Sequence, residues 1–152
     1  SPLACLSRGY AIPFKEPEGR VLRSALEKVM ELTTFDVCLD TGHLIACGGD
    51  PVASLRKWRD RVTHIHVKSA ARAKMQELID RGGDVEDIWA QRVFSRLGEG
   101  DLDLPALAAA IKDVDFSGWI VVEQDIFPDD DSLPAAEADQ RHNRQVLADL
   151  GF

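Results

Sequence analysis

Three short stretches of the chain alternate apolar and polar residues with the period of a β-strand, in which successive side chains point to opposite faces. In the first, Phe35, Val37 and Leu39 interleave with Asp36, Cys38 and Asp40. In the second, Ile65 and Val67 oppose His64, His66 and Lys68. In the third, Ile120 and Val122 oppose Val121, Glu123 and Asp125. Between them the spacing turns helical. Val21, Leu22, Ala25, Leu26, Val29 and Met30 predict a helix from about Glu16 to Leu32. Asp50-Pro51, an N-cap acceptor followed by proline at the first position, starts a helix running to about Asp60. Ala71 to Asp80 reads as helix, Gly82-Gly83 breaks it, and Val85 to Phe94 reads as helix again. Asp103-Leu104-Pro105 caps another helix, whose Leu104, Leu107, Ala108, Ile111 and Val114 form one stripe. Ser132 to Leu150 is a terminal helix with Pro134 in its first turn.

Strands that alternate with helices imply an α/β fold with a parallel sheet and crossover helices. A sheet buried on both faces reads as unbroken apolar runs. Here each strand gives one apolar face to helices and gathers its polar residues on the other, as a barrel interior with a polar mouth does.

Composition narrows the partners. A net charge of -8 over 152 residues argues against a phosphate backbone, so no nucleic acid is expected. No apolar run approaches the ~20 residues of a membrane span. Cys5, Cys38 and Cys47 are odd in number and follow no close-pair spacing. A reduced, cytoplasmic protein is the expectation. Cys38, inside a strand, reads as a small core residue.

All three strands end in metal-capable side chains, and a site built from strand ends belongs at the C-terminal face of a parallel α/β sheet. Asp40, His66 and Glu123 supply two carboxylates and an imidazole, suited to Mn²⁺, Mg²⁺ or Co²⁺ rather than a structural zinc. The bland alternatives are a cap for Asp40 and a surface strand end for Glu123. His43, three residues past Asp40, either shares its cleft or caps a turn. Lys68 and Arg72 read as site cations or as solvated loop charges. His64 reads as a core histidine bonded to a neighbour.

Leu39-Asp40-Thr41-Gly42-His43 with Gly48-Gly49-Asp50-Pro51, then His64-Ile65-His66-Val67-Lys68, then Leu97-Gly98-Glu99-Gly100-Asp101, then Gly118-Trp119 and Val122-Glu123-Gln124-Asp125 resemble, in order, the C-terminal half of the xylose-isomerase-like TIM barrels, the sugar phosphate isomerase/epimerase group. The resemblance covers residues 20 to 128, and the lysine two past His66, the long excursion ending in Val93-Phe94 and the Glu-Gln-Asp ending are most similar to inosose dehydratases. It implies a divalent metal, Mn²⁺ first with Co²⁺, Mg²⁺ or Zn²⁺ as alternatives, held by Asp40, His66 and Glu123. It implies catalytic roles for Glu123, His43 and Lys68, and substrate contacts from His43, Lys68 and Arg72. The substrate class is a sugar or cyclitol, and the chemistry is proton abstraction next to a carbonyl. Loss of water gives a lyase, and reprotonation elsewhere gives an isomerase or epimerase. Ser69 departs from the aspartate usual in the dehydratases.

Length is the larger departure, since ~250 residues and eight strands are typical of the fold. The expectation is one domain over residues 1–152, a partial (β/α) barrel with at least three parallel strands. The strand carrying the family's fourth ligand, a glutamate, has no counterpart, because Glu16 and Glu18 flank a proline at a helix start. The alternative to an enzyme is a non-catalytic half-barrel or partner subunit. An inner face bearing Asp40, His64, His66 and Lys68 would sit in water unless covered, and a free sheet edge invites pairing. A homo-oligomer or a complementing half-barrel is therefore expected, with weak or absent turnover alone.

Overall fold

A computed structural model of the chain describes residues 30–125 and 133–152. Most of the helix expected over Glu16 to Leu32, with Glu16 and Glu18, lies outside them. The described elements run β1 (Val37–Asp40), α1 (Thr41–Ala46), α2 (Pro51–Trp58), a 3₁₀ turn (Arg59–Arg61) and β2 (Val62–Val67). They continue with β3 (Ser69–Ala70), α3 (Arg72–Arg81), α4 (Val85–Ala90), β4 (Phe94–Ser95), α5 (Leu104–Asp113), β5 (Trp119–Val122) and α6 (Leu133–Asp149).

The three expected strands form one parallel sheet in the order β1-β2-β5. Its register aligns Leu39 with Ile65 and Ile120, and Asp40 with His66 and Val121. Parity therefore puts Leu39, Ile65 and Val67 on the helix-covered face, where they are 1% exposed or less. Leu55 of α2 and Leu107, Ala110 and Ile111 of α5 join them in one core. The stripe read on α5 is the face that is buried, and Asp103 caps the helix by accepting from the Ala106 N–H. Asp50 likewise accepts from Val52 and Ala53 at the start of α2.

The opposite face carries Cys38, His64 and Trp119 in one row, and all three are exposed. Cys38 and His64 are thus not core residues, contrary to the sequence expectation. Parity fixes which residues share a face, but it does not say whether that face is covered. His64 does bond a neighbour, with Nδ1 3.1 Å from Thr63 Oγ1.

A second correction falls between α3 and α5. The helix expected to reach Phe94 stops at Ala90, and Phe94 lies in β4. That strand pairs antiparallel with β3, Ala70 opposite Phe94 and Ser69 opposite Ser95. The glycine-rich turn after it has the close packing its composition suggests. A Cβ on Gly100 would lie 2.8 Å from Ser69 Oγ and 2.9 Å from the Ala70 carbonyl oxygen. No helix among the described residues is long and apolar enough to cross a membrane.

Candidate functional site

At the C-terminal ends of the three parallel strands, side chains separated by more than eighty residues in sequence share one cluster. Asp40 closes β1 and caps α1, because its extended backbone aims the carboxylate back along the new helix. Its Oδ1 accepts the His43 N–H at 2.8 Å. Its Oδ2 faces inward, 3.2 Å from His43 Nδ1, 3.2 Å from Lys68 Nζ and 3.8 Å from His66 Nδ1. The cap reading and the ligand reading of Asp40 therefore describe its two oxygens. Thr41, fully buried, binds the strand ends together. Its hydroxyl accepts the Lys68 N–H at 3.0 Å and donates to the Lys68 carbonyl at 2.7 Å.

Lys68 is the centre of the cluster and is 1% exposed. Its ammonium donates to Asp125 Oδ2 at 2.8 Å and Glu123 Oε2 at 3.0 Å, besides facing Asp40 Oδ2. The Phe94 ring covers it, with Nζ 4.7 Å from the centroid, and the same ring meets His43 edge-on at 5.1 Å. The solvated charge that its loop position suggested is instead buried and paired. Gly42 makes room for this stem, because a Cβ there would collide with Lys68 Cγ.

Burial alone would depress the lysine, but Asp40, Asp125 and Glu123 together raise its pKa above the ordinary value. The Asp40 carboxyl moves the other way. Burial pushes it up, and the His43 hydrogen bond with the charges of His43 and Lys68 pull it well below the usual carboxylate range. Cys47, at the far end of α1, is pushed up to about 11 by burial and the Asp40 charge.

Asp40, His66 and Glu123 each offer one ligand atom, and these atoms lie within 4.8 Å of one another. Bonds of roughly 2.0–2.2 Å let two donors on opposite sides of an ion stand about 4.4 Å apart. A shift of a few tenths of an ångström therefore closes this set on one divalent cation, and two oxygens with one nitrogen suit Mg²⁺, Mn²⁺ or Co²⁺. His66 Nδ1 is 2.8 Å from Glu123 Oε2, so those two groups are already in contact.

His43 and Lys68 stand in the cluster with the three candidate ligands. Arg72 does not join it: its N–H donates to Asp101 and its guanidinium to the Gly49 carbonyl. Two residues without a role in the sequence reading do. Asp125 holds Lys68 and lies 3.8 Å from His43 Nε2. Phe94 roofs Lys68 and meets His43 edge-on. The strand parity that paired Asp125 with Glu123 was a signal for the first, while Phe94 stood out only as the end of the excursion that resembles the dehydratases, with no role attached.

The Xylose isomerase-like TIM barrel family model matches residues 16–150. An inosose dehydratase of Lactiplantibacillus plantarum is 31% identical over 140 residues, which are 91% of this chain and 45% of that protein. An inosose dehydratase of Geobacillus kaustophilus is 30% identical over 130 residues, 82% of this chain and 42% of that one. The chain thus spans less than half the length of the curated relatives it matches. Among solved structures, a xylose isomerase domain protein from Planctomyces limnophilus superposes with a TM-score of 0.60 at 20% identity, over 82% of this chain and 41% of its own. That likeness shows the fold.

Proposed function

This chain belongs to the xylose isomerase-like TIM barrel family, and on that premise we propose that it contributes the metal-holding half of a sugar or cyclitol lyase site that dehydrates an inosose. The observation that carries the reading is the meeting of Asp40, His66 and Glu123 around Lys68 at the strand ends. The names of the relatives favour loss of water over isomerisation.

Asp40, His66 and Glu123 would hold the ion. A divalent metal bound there supplies Lewis-acid polarisation of a ketone, which acidifies the neighbouring C–H. The chain's own residues do the rest. His66 and Glu123 expose about a third of their side chains, against 1% for Lys68, so substrate approaches from their side. Glu123 takes the proton from the carbon next to the carbonyl. The C–H electron pair becomes a C=C bond, and the C–O bond on the next carbon breaks. The departing hydroxyl takes a proton from the Glu123–Lys68 pair, whose atoms are 3.0 Å apart, and leaves as water. Lys68, kept as an ammonium by its carboxylates, is suited to give a proton rather than to accept one. His43 steadies a substrate hydroxyl beside Asp40, and Phe94 keeps water off the back of the site.

Two measurements test this. Titration calorimetry with Mn²⁺ should show one site, with affinity lowered at least about 100-fold in His66→Ala and Asp40→Asn, since even the partners of metal ligands are worth 10–100-fold. Mass spectrometry of an inosose incubated with the Mn²⁺-loaded protein should show at most slow loss of water, and none in Glu123→Gln. Wild-type protein that takes up no divalent ion, or full activity after chelation, would refute the reading.

A further inference from the structure

Lys68 faces two of the carboxylates that a metal would need. Its Nζ is 3.2 Å from Asp40 Oδ2 and 3.0 Å from Glu123 Oε2, and those oxygens are the ones nearest His66 Nδ1, at 3.8 and 2.8 Å. An ammonium and a divalent cation therefore draw on one pair of carboxylates. The third carboxylate differs. Asp125 Oδ2 makes the shortest contact with Lys68, 2.8 Å, and Asp125 is not in the candidate ligand set.

Lys68 has little freedom to leave. Its stem threads past Gly42, its backbone is fixed on both sides by Thr41, and Phe94 closes over its head. A buried ammonium stripped of its counter-ions is strongly unfavourable. When an ion engages Asp40 and Glu123, a remaining counter-ion for Lys68 is required. Among the described residues, Asp125 is in place for it.

We propose that Asp125 is a positioning residue that acts through Lys68: it holds the ammonium aside and neutralised so that Asp40 and Glu123 are released to a divalent metal. The proposal rests on the metal-site reading above and adds to it a residue which that reading did not need. Asp125 touches neither ion nor substrate in this role. Its effect on the metal is conveyed by where Lys68 sits.

The test is a double-mutant cycle on Mn²⁺ affinity, read by titration calorimetry or by the electron paramagnetic resonance signal of free Mn²⁺. Asp125→Asn removes the charge but keeps the size, and leaves Lys68 to compete for the ligand oxygens. It should weaken Mn²⁺ binding about tenfold, within the range of coupled neighbours. In a Lys68→Met background the same substitution should change affinity less than about twofold, because the residue it acts through is gone. Lys68→Gln is the second background, should the methionine variant not fold, and thermal unfolding of each variant verifies the fold. An Asp125→Asn effect of equal size with and without Lys68 would mean a plain through-space charge, and would overturn the proposal. So would no effect in either background. A wild-type protein that binds no Mn²⁺ would overturn the metal reading and this proposal together. Normal wild-type binding with an additive cycle would overturn this proposal alone.

Discussion

At the scale of single residues, the site is an exercise in charge compensation. Lys68 meets three carboxylates, and burial makes each partner depend on the others. The pH dependence follows from the two opposite shifts. Asp40 is depressed in the folded chain, so its contribution to stability is present above the ordinary carboxylate value near 4 and is lost as pH falls below it. Lys68 is raised, so its contribution is present below the ordinary value near 10.5 and is lost as pH rises through the higher folded value. From these two groups the metal-free protein should lose stability at both ends, below about pH 4 and above about pH 10.5. Urea unfolding midpoints across pH will show it. In Lys68→Met the alkaline loss should shrink, and an unchanged alkaline limb would assign that loss to another group.

Among elements, two short pieces decide what the long ones can do. The β3–β4 pair is only two residues on each side, yet it carries Phe94 to the cluster and seats the Gly98–Asp101 turn against Ser69. The terminal helix α6 is tied to the same region by one buried side chain. Asn143 is 1% exposed, and its Oδ1 accepts the Leu97 N–H at 2.8 Å across 46 residues of sequence. Asn143→Leu leaves that N–H buried without a partner, which costs about 1–3 kcal/mol. The expected result is an unfolding free energy from urea titration lowered by that amount, with Mn²⁺ affinity unchanged. A neutral substitution would show that Leu97 finds another acceptor.

For the whole molecule, ligand binding and folding are linked through the strand ends. Asp40, His66 and Glu123 come from β1, β2 and the residue after β5, so an ion held by them ties together the three strands of the sheet. Mn²⁺ at about 100 times its dissociation constant should add about 2.7 kcal/mol. For a chain of this size that corresponds to a rise of about 5–10 °C in unfolding temperature. His66→Ala should abolish the rise, whereas Asn143→Leu should keep it on a lower baseline. Differential scanning calorimetry with and without Mn²⁺ separates the two. A Mn²⁺-dependent rise retained in His66→Ala would place the ion elsewhere.

The order of the three parallel strands and of helices α2 to α6, the two faces of each of those strands, and the polar residues at their ends were legible from periodicity, because a β-strand alternates and a capped helix announces its start. Asp40, His66 and Glu123 could be named as candidates on that ground, and the motif order pointed to the family. Packing decided the rest. Whether a polar face lies under cover depends on elements distant in sequence, so His64 and Cys38 are exposed while Lys68, on the same parity, is buried. The pairing of Ala70 with Phe94 is a contact between strands two residues long, too short to leave a period, and it turned an expected helix end into the roof of the site. Asp125 gained its place for the same reason: a counter-ion is defined by what it faces, and Lys68 stands 57 residues away in sequence.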